Sequence, residues 1–249
     1  FADRYVLTEF SASGNKLMIM VSQTNDPTGS WYVYQFTATE FPDYPKYGVW
    51  SNAHICTSNE SSNKVYAFDR PTMLTGAVTT TMITFSIPGS PAVGFQAAAP
   101  VNISGTTLPP LGTNPIIMRM VDDGCGGGLT DELEMWDMNL DFITPLLSTL
   151  TQLPSIATVP FTTDLCGYVT LNCIRQPNSQ RLDPIREIIM NRVWYRNFIT
   201  HQSIVLCHTV DATGLDQAGI RWYELRRAGL GPWSIYQQST YAPDTNSRW

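Results

Sequence analysis

From Arg4 to Phe10 the chain exchanges apolar and polar residues in RYVLTEF, and the same rhythm returns in KLMIMVSQ and WYVYQFTA. A period of two sends successive side chains to opposite faces, the pattern of a half-buried strand. It recurs in PKYGVWS, AHICTSN, KVYAFDR, TTMITFSI, FQAAAPV, PIIMRMV, LEMWDMN, IATVPFT, MNRVWYRNF, SIVLCHTV, GIRWYELR and WSIYQQST. Gly, Pro, Asn, Asp and Ser separate these runs, which is turn chemistry. Helical spacing is confined to two interrupted passages, TPLLSTLTQLPS and DPIREIIMN. The expectation is an all-β chain.

Three of the runs echo one another: VYAFDR at 65–70, LEMWDM at 133–138 and IRWYEL at 220–225. Each carries an aromatic, then an acidic, then a variable residue at its end, and each is followed by one more strand before a long connection. Grouping the strands by fours predicts a β-propeller of four-stranded antiparallel blades. The units are 1–40, 41–90, 91–165 and 183–249, with 166–182 as a long connection. The first unit is one strand short, and Arg248-Trp249 stands where another unit would begin. Further blades of the same polypeptide, or a partner subunit, are expected to cover the open edges.

The loop SQTNDPTGSW, with Ser22, Asp26, Gly29 and Trp31, reads as a structural turn: Asp bonds nearby N–H groups, Pro presets φ and Gly relaxes it. The Asp-to-Trp spacing repeats in DTNSRW at 244–249. Both loops resemble, in part, the Asp-box of sialidase-like propellers, where it is a peripheral turn remote from the active site. More broadly, FADRYVLTEF, SQTNDPTGSWY, FPDYPKYGVW, YRNFITHQSIVLCHTVD, AGIRWYELR and IYQQSTYAPD resemble a group of secreted bacterial β-propeller proteins of unassigned activity. That resemblance implies a larger ring of about six blades and carries over no functional residues.

Of 249 residues, 43% are hydrophobic and 14% charged, with a net charge of −6. No basic cluster exists to neutralise phosphates, which excludes nucleic acid as the expected partner. No apolar run approaches the roughly 18–20 residues of a membrane helix, so no membrane insertion is expected. A surface rich in Thr, Ser, Asn, Gln and Tyr points to an extracellular or cell-surface protein. Of five cysteines, Cys166 and Cys173 bracket a short polar loop suited to a disulfide. Cys56 and Cys207 read as core residues, and Cys125 lies in a Gly-rich turn. No CxxC or Cys/His spacing suits zinc.

Several residues are candidates for recognition. Asp43 and Lys46 stand at the entry to an expected inner strand, at a channel mouth, although Asp43 reads first as a turn cap between prolines. Trp50, Trp194 and Tyr195 could stack on sugar rings, and Arg119, Arg192 and Arg196 could meet an acidic group. Asp122 and Asp123, with Asp131 and Glu132 nearby, form a carboxylate-rich stretch beside glycines. It lacks calcium-loop spacing and reads first as a solvated loop, second as a Ca²⁺ site. His54, His201 and His208 are dispersed, and no nucleophile motif is present. The expected function is a secreted binding module for carbohydrate or protein, calcium-stabilised. A glycoside hydrolase pairing Asp43 with Asp122 or Asp123 is the second reading, and a structural part of an extracellular assembly the third.

Overall fold

In β1 (Val6–Ser11), β2 (Lys16–Ser22) and β3 (Trp31–Thr37), the alternation predicted from the sequence sets the burial. Leu17, Ile19 and Val21 are fully buried on one face of β2, while Lys16, Met18 and Met20 lie on the other, half-exposed. The three strands form an antiparallel sheet in which Ile19 faces Tyr34. The computed structural model describes residues 2–89, 97–125 and 130–245.

A second antiparallel sheet follows in sequence order: β4 (Asp43–Val49), β5 (Ala53–Asn59), β6 (Lys64–Asp69) and β7 (Met82–Ser86). Both faces of β5 are covered. Cys56, with Tyr66 and Phe68 of β6, packs against Leu17 and Ile19, whereas Ala53 and Ile55 join the main core around Trp50, Trp136 and Tyr195. The second sheet is therefore the middle layer, held from both sides by apolar burial. Between β6 and β7 lies one short helix, α1 (Arg70–Thr75). Asp69 caps it by accepting the Thr72 N–H, Pro71 stands in its first turn, and Gly76 ends it at φ 72°. Six residues are too few to show a helical period, so the caps were its only sequence signal.

The remaining strands are β8 (Ala99–Ile103), β9 (Ile116–Val121), β10 (Glu132–Asn139), β11 (Thr149–Gln152), β12 (Ile156–Ala157), β13 (Ile174–Arg175), β14 (Arg181–Leu182), β15 (Val193–Asn197), β16 (Gln202–Asp211), β17 (Ala218–Arg227) and β18 (Ser234–Tyr241). β13 and β14 form a small separate ribbon. The others make one mixed sheet, in the order β11-β10-β9-β8-β15-β16-β17-β18, with β12 also beside β10. It curls into a half-barrel.

This sheet overturns the propeller. Blades are separate sheets, each with its own inner edge, but here β8 and β15 use those edges on each other. They pair in parallel, Val101 with Val193 and Ile103 with Tyr195, and fuse the third and fourth strand sets. The curl is tied across by the segment after β12, where Val159 donates its N–H to Gln238 and accepts from Arg221.

Other expectations change too. TPLLSTLTQLPS is a 3-10 turn at Pro145–Leu147 followed by β11, and DPIREIIMN is irregular, with a turn at Arg186 and Glu187 and Ile189 bridging to His208. FQAAAPV yields a strand only from Ala99, residues 90–96 lying outside those described. Residues 246–249 of the second Asp-to-Trp loop, including Arg248 and Trp249, also lie outside them. Among the described residues β1 pairs with β2 alone and β18 with β17 alone.

Candidate functional site

The strand period places Arg192, Trp194, Arg196 and Phe198 on one side of β15, while Val193 and Tyr195 are fully buried on the other. The outward row is exposed: Trp194 is 43% accessible and Phe198 46%. Cations and rings alternate along it and stack. The Arg192 guanidinium lies 5.7 Å from the Trp194 ring, and that of Arg196 lies 5.2 Å from Phe198. His201 then stacks on the far side of the turn, 5.0 Å from Phe198.

Pairing widens the row into a surface. Trp194 faces Val205 and Arg196 faces Ser203 on β16, and those two face Glu224 and Arg226 on β17. Arg226 sits 3.4 Å over the Tyr236 ring and bonds the Glu224 carboxylate at 2.6 Å. Burial pushes the Glu224 carboxyl up, but hydrogen bonds from Arg226, Gln237 and Ser203 outweigh it and hold it below its ordinary value. A shallow groove of about 370 Å³ runs over Ser104, Trp194, Arg196, Phe198 and His201 to Arg226. Among the described residues neither Arg192 nor Arg196 makes an ion pair. A guanidinium held over a ring still has N–H groups to offer, which match a carboxylate.

The sequence named Arg192, Trp194 and Arg196 but not Val205, Arg226 or Tyr236. Those come from other strands and join only through register. Alternation within SIVLCHTV and GIRWYELR was the available signal, and it needs the pairing to be read.

The other candidates have different surroundings. Trp50 is buried, edge-on to Tyr195 at 5.0 Å, and donates its indole N–H to the Thr113 carbonyl; it offers no face to a ligand. Arg119 is buried, bonded to Glu134 at 2.6 Å and to the Pro88 carbonyl, and lies over Trp136. It braces β9 against β10. Asp43 is exposed at the start of β4, with its carboxylate accepting from Asn59. Lys46 is buried, donates to the Ile189 carbonyl at 2.7 Å, and burial lowers its ammonium to about 7. His208 is a core histidine between Thr209 and Tyr223, lowered by burial to about 4.

Asp122, Asp123 and Asp131 each place a carboxylate oxygen within 4.8 Å of the others. Asp122 and Asp131 are buried and already engaged. Asp122 accepts from the Gly124 N–H and from both Thr163 donors. Asp131 accepts the N–H groups of Asp123 and Phe161. Burial raises the Asp131 carboxyl, those N–H groups oppose the rise, and the neighbouring aspartates add to it. The glycines 126–128 of this stretch lie outside the described residues. Cys125 is buried, and Cys166 and Cys173 are joined in a disulfide.

The loop between β2 and β3 is a turn held from within. Ser22 Oγ accepts the Tyr5 N–H and donates to the Thr24 carbonyl, Asp26 accepts both donors of Thr28, Gly29 donates to the Asp26 carbonyl, and Trp31 donates to the Pro27 carbonyl.

No helix is long and apolar enough to cross a membrane, which says nothing about crossing by strands. Comparison of the chain with family models, with curated proteins and with solved structures gave no match.

Proposed function

We propose that the protein is an extracellular binding module whose β15 face recognises an acidic saccharide. The observation that carries this reading is the exposed row Arg192–Trp194–Arg196–Phe198, with its guanidinium groups stacked and without acidic partners among the described residues. The C–H face of a sugar ring packs on the accessible side of Trp194, and a uronate-type carboxylate meets Arg196 or Arg192. The stacked arginines lose little side-chain freedom on binding, because the rings already restrict them. The local cations also favour a ligand that brings its own negative charge. The disulfide agrees with an oxidising compartment.

The hydrolase reading has less support. Asp43 is exposed with its carboxylate bonded to Asn59, and the oxygens of Asp122 are spent on Thr163 and Gly124.

Calorimetric titration with a trigalacturonate and with its neutral trigalactose counterpart tests the proposal. The acidic trimer should bind at least about tenfold tighter than the neutral one. Trp194→Ala should weaken it about as much without changing the melting temperature, since the ring is exposed. Equal affinity for the two sugars, or undiminished binding by Trp194→Ala, would sink the reading.

A further inference from the structure

A cavity of about 580 Å³ opens at one end of the curled sheet, between the β9–β10 side and the β17–β18 hairpin. Met135, Leu153, Ile156, Trp233 and Ile235 make its walls apolar. Its size and lining are those of small-molecule sites. Two opposite charges face into it from strands on opposite sides, Asp137 from β10 and Arg227 from β17.

These charges do not pair with each other among the described residues. Each is held by a neutral amide instead. Asn114 donates to Oδ1 of Asp137 at 2.7 Å. Gln202 accepts from Nε and Nη2 of Arg227 at 3.1 and 3.0 Å, and Trp233 supports the guanidinium from 4.6 Å. Among the described residues no hydrogen bond reaches Oδ2 of Asp137 or Nη1 of Arg227. Burial works against the Arg227 charge, and the charges of Tyr195 and Asp137 favour it. Two oriented, half-buried charges without mutual contact cost stability unless something between them satisfies both.

We propose that this cavity binds a small zwitterion with an apolar body, of the aliphatic α-amino-acid class. The carboxylate lies on Nη1 of Arg227, the ammonium on Oδ2 of Asp137, and the side chain against Met135, Ile156 and Ile235. A sugar would leave these apolar walls facing hydroxyl groups, and a plain hydrocarbon would leave both charges unmet.

The test uses L-leucine as the probe, with 4-methylpentanoate and isopentylamine as analogues that each keep one charge. Titration calorimetry should show saturable leucine binding, and each analogue should bind at least about tenfold weaker. Asp137→Asn and Arg227→Gln should each weaken leucine by a similar factor, and a melting curve confirms that each variant is folded. Arg227→Gln also disturbs Gln202, so Ser155→Trp provides a second route: it fills the rim without touching either charge and should abolish binding. Absence of saturable leucine binding up to about 10 mM overturns the proposal. So does equal affinity for leucine and both analogues, or full affinity in the folded Asp137→Asn and Ser155→Trp variants.

Discussion

Oδ2 of Asp122 accepts both the backbone N–H of Thr163, at 2.6 Å, and its hydroxyl, at 2.7 Å. One carboxylate at the end of β9 thereby pins a connection 41 residues further along, and Oδ1 holds the turn that leads to β10. Replacing Asp122 with Ala strands two buried donors on Thr163 and the part-buried N–H of Gly124. The expected loss is about 2–4 kcal/mol of stability, read as a lower urea midpoint with an unchanged slope. A loss within about 0.5 kcal/mol would mean that the connection is anchored elsewhere.

Calcium should leave the protein's stability alone. The carboxylates of Asp122 and Asp131 already accept N–H and O–H donors, so a cation must displace bonds before it gains any. The melting temperature in a chelator and in about 1 mM calcium should coincide. A rise would show binding strong enough to stabilise the folded state by mass action and would restore the cation reading.

Lys46 gives the pH dependence a definite sign. Its ammonium is lowered from 10.5 to about 7 by burial, so between those values the unfolded chain holds a proton that the folded chain has lost. Stability must therefore rise with pH across that window, and the cost of the buried charge is fully present below it. The slope for one such proton is about 1.4 kcal/mol per pH unit at most. Lys46→Met should be more stable than the native protein at pH 7, with the difference narrowing as the pH climbs to about 9. A constant difference would place the Lys46 proton on the protein throughout.

Reduction of the Cys166–Cys173 bridge should act locally. Its loop is short, so the unfolded-chain entropy it removes is worth roughly 2–3 kcal/mol. The residues it holds, Leu165, Ile174 and Ala218, form a small cluster apart from the main core. Limited proteolysis of the Cys166→Ser/Cys173→Ser variant should cut within 166–182 before any other segment. Cleavage elsewhere first would show that the cluster stands without the bridge.

The strands were legible in the sequence where one face is buried, as in β2, where Leu17, Ile19 and Val21 announce themselves by alternation. The echo of VYAFDR, LEMWDM and IRWYEL marked three strands that pair on both sides, β6, β10 and β17. Its buried aromatic is kept in Phe68, Trp136 and Tyr223. Its acidic position serves three ends: Asp69 caps α1, Asp137 faces the cavity and Glu224 bonds Arg226. An inference from repeated strands to repeated sheets fails at β8. APVNI is buried throughout and β15 alternates, and nothing local to either says that their edges will meet. Arg227 and Asp137 were missed for the same reason, since they lie on strands that only the curl brings face to face.

The meeting of β8 and β15 also constrains the order of events as the chain folds. Val101 pairs with Val193, so this seam closes across nearly the whole span from β9 to β14. The hairpins on either side, β9 with β10 and β16 with β17, join neighbours in sequence. Closing a long loop costs entropy before any contact offsets it, and the seam offers only a few parallel pairs in return. The two halves should therefore form first and zip together last, with amide exchange at Val193 and Tyr195 gaining protection after that of Leu206 and Tyr223. Until the seam closes, the walls of the cavity stand apart and both binding charges face water.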